Sequence, residues 1–198
     1  MPTWKAYFQI NGYDYSAYPV IDFPVPEDLY AEIRTALSEN RPLQDCPFYE
    51  KLQELACAQI SLEDYLPDWM ENPDPEEYDD EESYAEELAS YEEQREEYME
   101  VLNIDSCAID DPGDIRRLED RIRGLRLPDP ETRLENEDCT RLYWITVTFD
   151  ADERVDRVVD VQAEGVSEES ARSVSTEPCY PDYDFIAAEL KRLAEEEA

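Results

Sequence analysis

Carboxylates are the side chains with which this chain could do chemistry: it carries 53 of them against 17 lysines and arginines, and no histidine. Between Glu63 and Glu100 there are 18 Asp and Glu and a single base, Arg95, so nearly half of the net charge of −36 sits in one fifth of the length. Paired carboxylates can act as acid and base only when their environments push their proton affinities apart, and a dense exposed run offers no such asymmetry. Without imidazole, every triad or dyad that uses histidine is excluded, with most zinc and non-haem iron ligand sets. Four glycines leave no phosphate loop and no dinucleotide fingerprint. The five cysteines, Cys46, Cys57, Cys107, Cys139 and Cys179, are odd in number and irregular in spacing. They read as free, mostly buried thiols of a reducing compartment. Asp150, Asp152 and Asp156 begin like a calcium loop, but Val155 and Val161 stand where its glycine and glutamate belong, so a polar turn is expected. A protein that is not an enzyme, with no cofactor and no metal, is the expectation.

The acidic run instead speaks about partners. It repels nucleic acid, yet it can occupy the basic groove of a protein that binds nucleic acid. From Glu76 to Glu100 there are 13 carboxylates. Wound as a helix, that segment is about 37 Å long, near one charge per ~3 Å, against 3.4 Å per phosphate along one DNA strand.

A helix is what must hold that row. Ser83 with Glu86 three residues later is a capping-box pattern, and a long helix is expected from about Tyr84 to Leu102. At 100° per residue, Tyr84, Leu88, Tyr91, Tyr98 and Leu102 fall on one line with the stem of Arg95, a stripe suited to docking. Glu86, Glu93, Glu96, Glu97 and Glu100 gather on the opposite side, and Glu82 joins them if the helix begins earlier. Glu76, Glu77, Asp79 and Asp80 extend the row into the preceding stretch, with Trp69 and Tyr78 as candidate aromatic anchors. Residues 68–80 are punctuated by proline and read as an exposed linker.

Around this helix the chain reads as folded ends. Trp4, Ala6, Phe8 and Ile10 alternate, Asn11-Gly12 signals a hairpin, and Tyr13 to Phe23 is the expected returning strand. Pro26 opens a helix with Leu29, Ile33, Ala36 and Leu37 on one face, and a second follows from Pro47 with Phe48, Leu52, Leu55 and Gln59 in register. Asp114 is expected to cap a helix carrying Ile115, Leu118, Ile122 and Leu125, with Gly124 near its end. Leu142 to Phe149 and Val155 to Ala163 read as a second hairpin, Ser167 to Val174 as a short helix, and Asp182 to Glu196 as a terminal helix. The fold class is α+β, an antiparallel sheet from two β-hairpins packed with several helices, one of them long and acidic. The expected organisation is an N-terminal hairpin with two helices over residues 1–60, the acidic linker and helix over 61–103, and a helix, second hairpin and C-terminal helices over 104–198, together one compact domain.

Arg116, Arg117, Arg121, Arg123 and Arg126 form a basic patch that could lie against the acidic helix, and internal charge balance is their expected role. No run of about 20 apolar residues and no basic leader is present, so a cytoplasmic location is expected. In size, charge density and lack of catalytic residue types, chiefly over residues 63–100, the chain resembles the acidic DNA-mimic proteins that phages and mobile elements deploy against restriction and CRISPR enzymes. That resemblance implies an anti-CRISPR or antirestriction inhibitor whose partner is a basic nucleic-acid-binding protein, with no direct contact to nucleic acid or membrane. Two alternatives stand beside it: an acidic adaptor or immunity-type protein with one cognate partner, and an ordinary domain of a salt-adapted host, whose carboxylates should be spread over every element.

Overall fold

The computed structural model describes residues 1–196 apart from 14, 68, 69, 71, 79 and 170–172. Alternation builds β1 (Thr3–Asn11), in which Ala6, Phe8 and Ile10 are buried on one face with Trp4 packed beside them. The returning strand is split into β2 (Ser16–Ala17) and β3 (Val20–Pro24), which keep one register against β1: Ile10 faces Ala17 and Tyr7 faces Val20. Pro19 causes the break because it has no N–H, while its carbonyl still accepts the Phe8 N–H at 2.9 Å. Asn11 pairs with Ser16, so Asn11-Gly12 opens a four-residue loop closed by Gly12 N–H and the Tyr15 carbonyl, not the two-residue turn its sequence suggests.

The other edge of β1 takes β4 (Asn103–Ile109), a strand that its local sequence does not announce. Over the apolar face lie α1 (Glu27–Ser38), started by Pro26 with Glu27 and Asp28 in its first turn, and α2 (Tyr49–Cys57). Acidic residues at a helix start meet the positive end of the dipole, so α1 places its charge well. Leu29, Ile33 and Ala36 from α1 and Leu52 and Ala56 from α2 close the first core on Phe8, Ile10 and Phe23.

The second sheet is β5 (Glu131–Glu135), β6 (Arg141–Phe149), β7 (Val155–Glu169) and β8 (Ser173–Pro178), antiparallel in that order. The two hairpins therefore seed separate sheets. In the stretch expected as a short helix, Ser167 to Val174, the described residues belong to β7 and β8, with Ser167 opposite Ser175, and 170–172 lie outside the described residues. Valine, serine and threonine fit a pleated edge better than a helix interior once a partner strand is at hand. The turn between β6 and β7 is organised by Asp150, whose carboxylate accepts the N–H groups of Asp152 and Arg154 at 2.9 and 3.0 Å.

Two helices cover one face of this sheet, α4 (Asp114–Ile122) and α5 (Tyr183–Glu196). Gly113 occupies the cap of α4 and Asp114 is its first residue, a shift of one from the expected start. Gly124, at φ 83°, takes the left-handed conformation that ends the helix. Leu118, Ile122, Tyr143, Ile145, Ile186 and Leu190 form the second core. Among the described residues the result is an α+β fold with two four-stranded antiparallel sheets and five α-helices, one of them the 21-residue α3 (Glu81–Val101) between α2 and β4. Among the described residues, no helix is long and apolar enough to cross a membrane.

The two halves are tied at named contacts. Tyr18, at the break between β2 and β3, belongs to the second core and lies on Gly165 of β7 so closely that a Cβ there would run into its ring. Its backbone N–H donates to Glu177 at 2.8 Å. Beyond β4, the buried Asp111 accepts the Leu43 N–H at 2.9 Å and the Gly113 N–H at 2.9 Å, and pairs with Arg117 at 2.5 Å. Arg117 also holds Asp114 at 2.6 Å, and the Tyr180 hydroxyl donates to Asp114 while accepting the Asp111 N–H at 3.1 Å.

Asp110 next to this clasp is half-buried, and burial, opposed by Lys5 and reinforced by Asp111 and Asp114, raises its carboxyl above the usual range. A carboxyl with a raised folded-state pKa contributes stability that is complete below the unfolded pKa and is lost as pH rises through the folded one. Asp110→Asn should therefore stabilise the protein at neutral pH, with the gain vanishing in acid below the carboxylate range. Urea denaturation at both pH values checks this, and a variant less stable than wild type at neutral pH would contradict it.

Candidate partner-binding surface

The sequence of α3 favours helix strongly, with Ala85, Leu88, Ala89, Met99 and many glutamates, and only Val101 β-branched. Its cap is Asp80, whose carboxylate accepts the Ser83 N–H at 2.8 Å and the Ser83 hydroxyl at 3.2 Å. The expected Ser83–Glu86 box is thus replaced by an Asp80–Ser83 cap, and the helix starts three residues earlier than Tyr84. Accepting these bonds holds the Asp80 carboxyl below its usual range, so the cap is intact at neutral pH and is lost as pH falls through that lowered value.

The apolar stripe lies where its spacing predicts. Tyr84, Leu88, Tyr91, Arg95, Tyr98 and Met99 are half-buried and every other residue of α3 is exposed; Leu102, just past its end, is buried. Anchorage is concentrated towards the C-terminal end: Met99 packs on the first core, Tyr98 lies 6.0 Å from the Tyr13 ring, and Arg95 bonds Glu63 at 2.8 Å. At the start, Tyr84 meets the Tyr78 ring at 5.8 Å. No residue within α3 is fully buried, so the helix is a ridge held along one side and open on the other.

On that ridge Glu82, Glu86, Glu93, Glu96, Glu97 and Glu100 are all exposed, in the arrangement read from the sequence. Glu81, Glu87 and Glu92 complete the set on the flanks, giving nine glutamates over 21 residues. At 1.5 Å per residue the helix is about 31 Å long, one carboxylate per ~3.5 Å. Among the described residues none of the nine takes part in an ion pair, and the one base of α3, Arg95, reaches off the helix to Glu63. Four like-charged pairs stand four apart, Glu82–Glu86, Glu92–Glu96, Glu93–Glu97 and Glu96–Glu100, each costing a few tenths of a kcal/mol.

Glu76 and Glu77 are exposed in a single 3-10 turn, Pro75–Glu77, where the Asp74 carboxylate accepts the Glu76 N–H at 3.0 Å. Tyr78 is half-buried against Tyr84, and Asp80 is engaged as the cap. Trp69 and Asp79 lie outside the described residues.

The basic patch balances other acids. Arg117 pairs with Asp111 and Asp114, Arg121 with Asp184 at 2.5 Å, and Arg123 with Glu119. None of these partners is on α3, so the acidic ridge keeps its charge. Two thiols are held protonated: burial, with Cys57 beside it, pushes Cys107 up to about 12, and burial pushes Cys179 up to about 11. Neither supplies a nucleophile at neutral pH.

No protein-family model matches the chain, and no curated protein or solved structure is significantly similar to it.

Proposed function

We propose that the protein is an inhibitor that occupies the basic nucleic-acid-binding surface of a partner protein, presenting α3 in place of a phosphate strand. The observation that carries this reading is the row of nine exposed glutamates along one helix, none of them paired with an arginine among the described residues. A row at ~3.5 Å matches the pitch of one strand at 3.4 Å, and a preformed helix binds without the entropic cost of ordering a flexible tail. Evolution toward solubility alone has no use for four unrelieved glutamate pairs on one helix, since interleaved lysine gives an equally soluble helix. An anti-CRISPR or antirestriction role is the form of this function that the class resemblance supports. The cytoplasm, where such targets work, is the compartment in which this reading places the protein.

The test is capture of partners from a lysate that contains nucleases and restriction or CRISPR enzymes, repeated as salt is raised. A basic nucleic-acid-binding prey that is released by oligonucleotide and by salt supports mimicry. A neutral prey held with salt-insensitive affinity points to an adaptor. Absence of prey together with unfolding at low salt points to a salt-adapted domain.

A further inference from the structure

Between the two sheets lies a cavity of about 220 Å³, distinct from α3. Its walls come from the outward face of β1 through Tyr7 and Gln9, from Tyr18 at the strand break, from Arg141 at the start of β6, and from Cys179 and Tyr180 after β8. Arg141 is half-buried there, and its guanidinium donates to the neutral amide oxygen of Gln9 at 2.7 Å. Among the described residues, no carboxylate lies within ion-pair distance of it, although this chain has three acids for every base and six other arginines are paired.

We propose that this cavity binds a small aromatic carboxylate, its acid group on the Arg141 guanidinium and its ring among the tyrosines. The size fits the class. A cavity of about 150 Å³ accepts a benzene ring, so 220 Å³ holds a ring and one carboxylate. The shape of the wall agrees, because Tyr7 and Tyr180 present tilted rings 5.3 Å apart, a surface on which a third ring can pack edge to face. A guanidinium fork matches a carboxylate in two parallel bonds, and a half-buried site strengthens them.

Four acids stand around the site, none of them in an ion pair with Arg141 among the described residues: Asp182, Glu177, Glu164 near Cys179, and Asp110 near Tyr7, whose own carboxyl is raised by burial. Asp182 sits exposed on the rim and accepts the Phe185 N–H at 2.9 Å at the start of α5, and Glu177 accepts the Tyr18 N–H. Cys179 is protonated and carries no charge into the cavity. Since the ligand bridges both sheets, it acts as a wedge that stiffens the junction, and it stabilises the fold by mass action.

Benzoate and 4-hydroxybenzoate are the probes, with benzyl alcohol as the uncharged control and inorganic phosphate as the ringless one, read by calorimetry and by thermal melting of the full chain. The expected result is binding of the aromatic acids below about 1 mM, with neither control competing. Arg141→Gln, which keeps a hydrogen-bonding side chain toward Gln9, should weaken binding at least tenfold. Ala108→Leu, which enlarges a side chain of the β4 part of the wall and leaves Arg141 in place, should abolish it while the melting temperature without ligand stays near wild type or rises. No binding of either acid to wild type up to about 10 mM, or equal binding to Arg141→Gln, overturns the proposal. Phosphate binding as tightly as the aromatic acids overturns the ring component and with it the assigned class.

Discussion

Glu86→Lys, Glu93→Lys and Glu97→Lys combined should abolish inhibition while leaving the fold intact. The three positions lie on the outward side of α3, exposed and without ion pairs among the described residues, so nothing in the folded chain depends on their charge. Reversing them turns nine negative charges and one positive into six and four. Within the helix, the repulsive pair Glu82–Glu86 becomes attractive, as do the three-apart pairs at 93–96 and 97–100, while 93–97 remains like-charged; the sum favours the helix slightly. Against a basic groove the same change replaces three charge-assisted contacts by three repulsions. Loss of affinity by about a hundredfold or more follows, since like charges across an interface cost several kcal/mol. Circular dichroism separates the two effects: the helix signal should be equal to wild type or larger. A variant that inhibits normally would reduce α3 to a solvated ridge.

The largest stability effect is expected away from that surface, at Asp111. Its carboxylate satisfies two backbone N–H groups, that of Leu43 in the first half and that of Gly113 at the cap of α4, and holds Arg117, which belongs to the second half. Asp111→Ala leaves those donors bare and a mostly buried guanidinium with Asp114 alone. Breaking one side of a buried pair typically costs about 3–5 kcal/mol, and because Arg117 retains Asp114, the lower end, about 3 kcal/mol, is expected. Asp111→Asn keeps the shape and one acceptor, so it should cost less than the alanine variant. The urea midpoint checks both, and an alanine variant within about 0.5 kcal/mol of wild type would contradict the clasp. Binding through α3 should persist in Asp111→Asn, which separates the junction from the acidic surface.

How far the sequence revealed this molecule depends on where each signal was written. Helices α1, α2, α4 and α5 follow from apolar residues at helical spacing, because each buries one continuous face on a sheet. The stripe of α3 was equally legible, and so was the opposite row of glutamates, since both are properties of one continuous segment. Edge strands were not legible. β5 buries only Leu134, and the alternation of β4 is disrupted where its register with β1 shifts at Gln9 and Ile10. Such strands are held by hydrogen bonds to a neighbour that the local sequence does not contain. The helix expected over Ser167 to Val174 fails for the same reason: in its described residues, the end of β7 and the first two residues of β8, strand pairing overrides a weak local pattern.

Caps misled by being ambiguous. Asp80, Ser83 and Glu86 satisfy the local rules at two adjacent sites, and the structure takes the earlier, which lengthens the acidic row by Glu81 and Glu82. The basic patch was legible as charge balance but not in its partners, because Asp111 and Asp184 reach it through the fold. The cavity around Arg141 had no linear signature at all: its walls come from β1, the β2–β3 break, β4, β6 and the segment before α5. Only folding gathers them.

Mimicry requires that the glutamate row bind as a nucleic-acid strand would. The most direct measurement is the affinity for the captured partner as a function of salt, for wild type and for Glu86→Gln, Glu93→Gln and Glu97→Gln combined, with a nucleic-acid oligonucleotide as competitor. Mimicry predicts a steep fall in affinity with salt for wild type, a shallower one for the neutralised variant, and mutual exclusion with the oligonucleotide. Equal salt dependence in the two proteins, with partner and oligonucleotide bound at the same time, would contradict it.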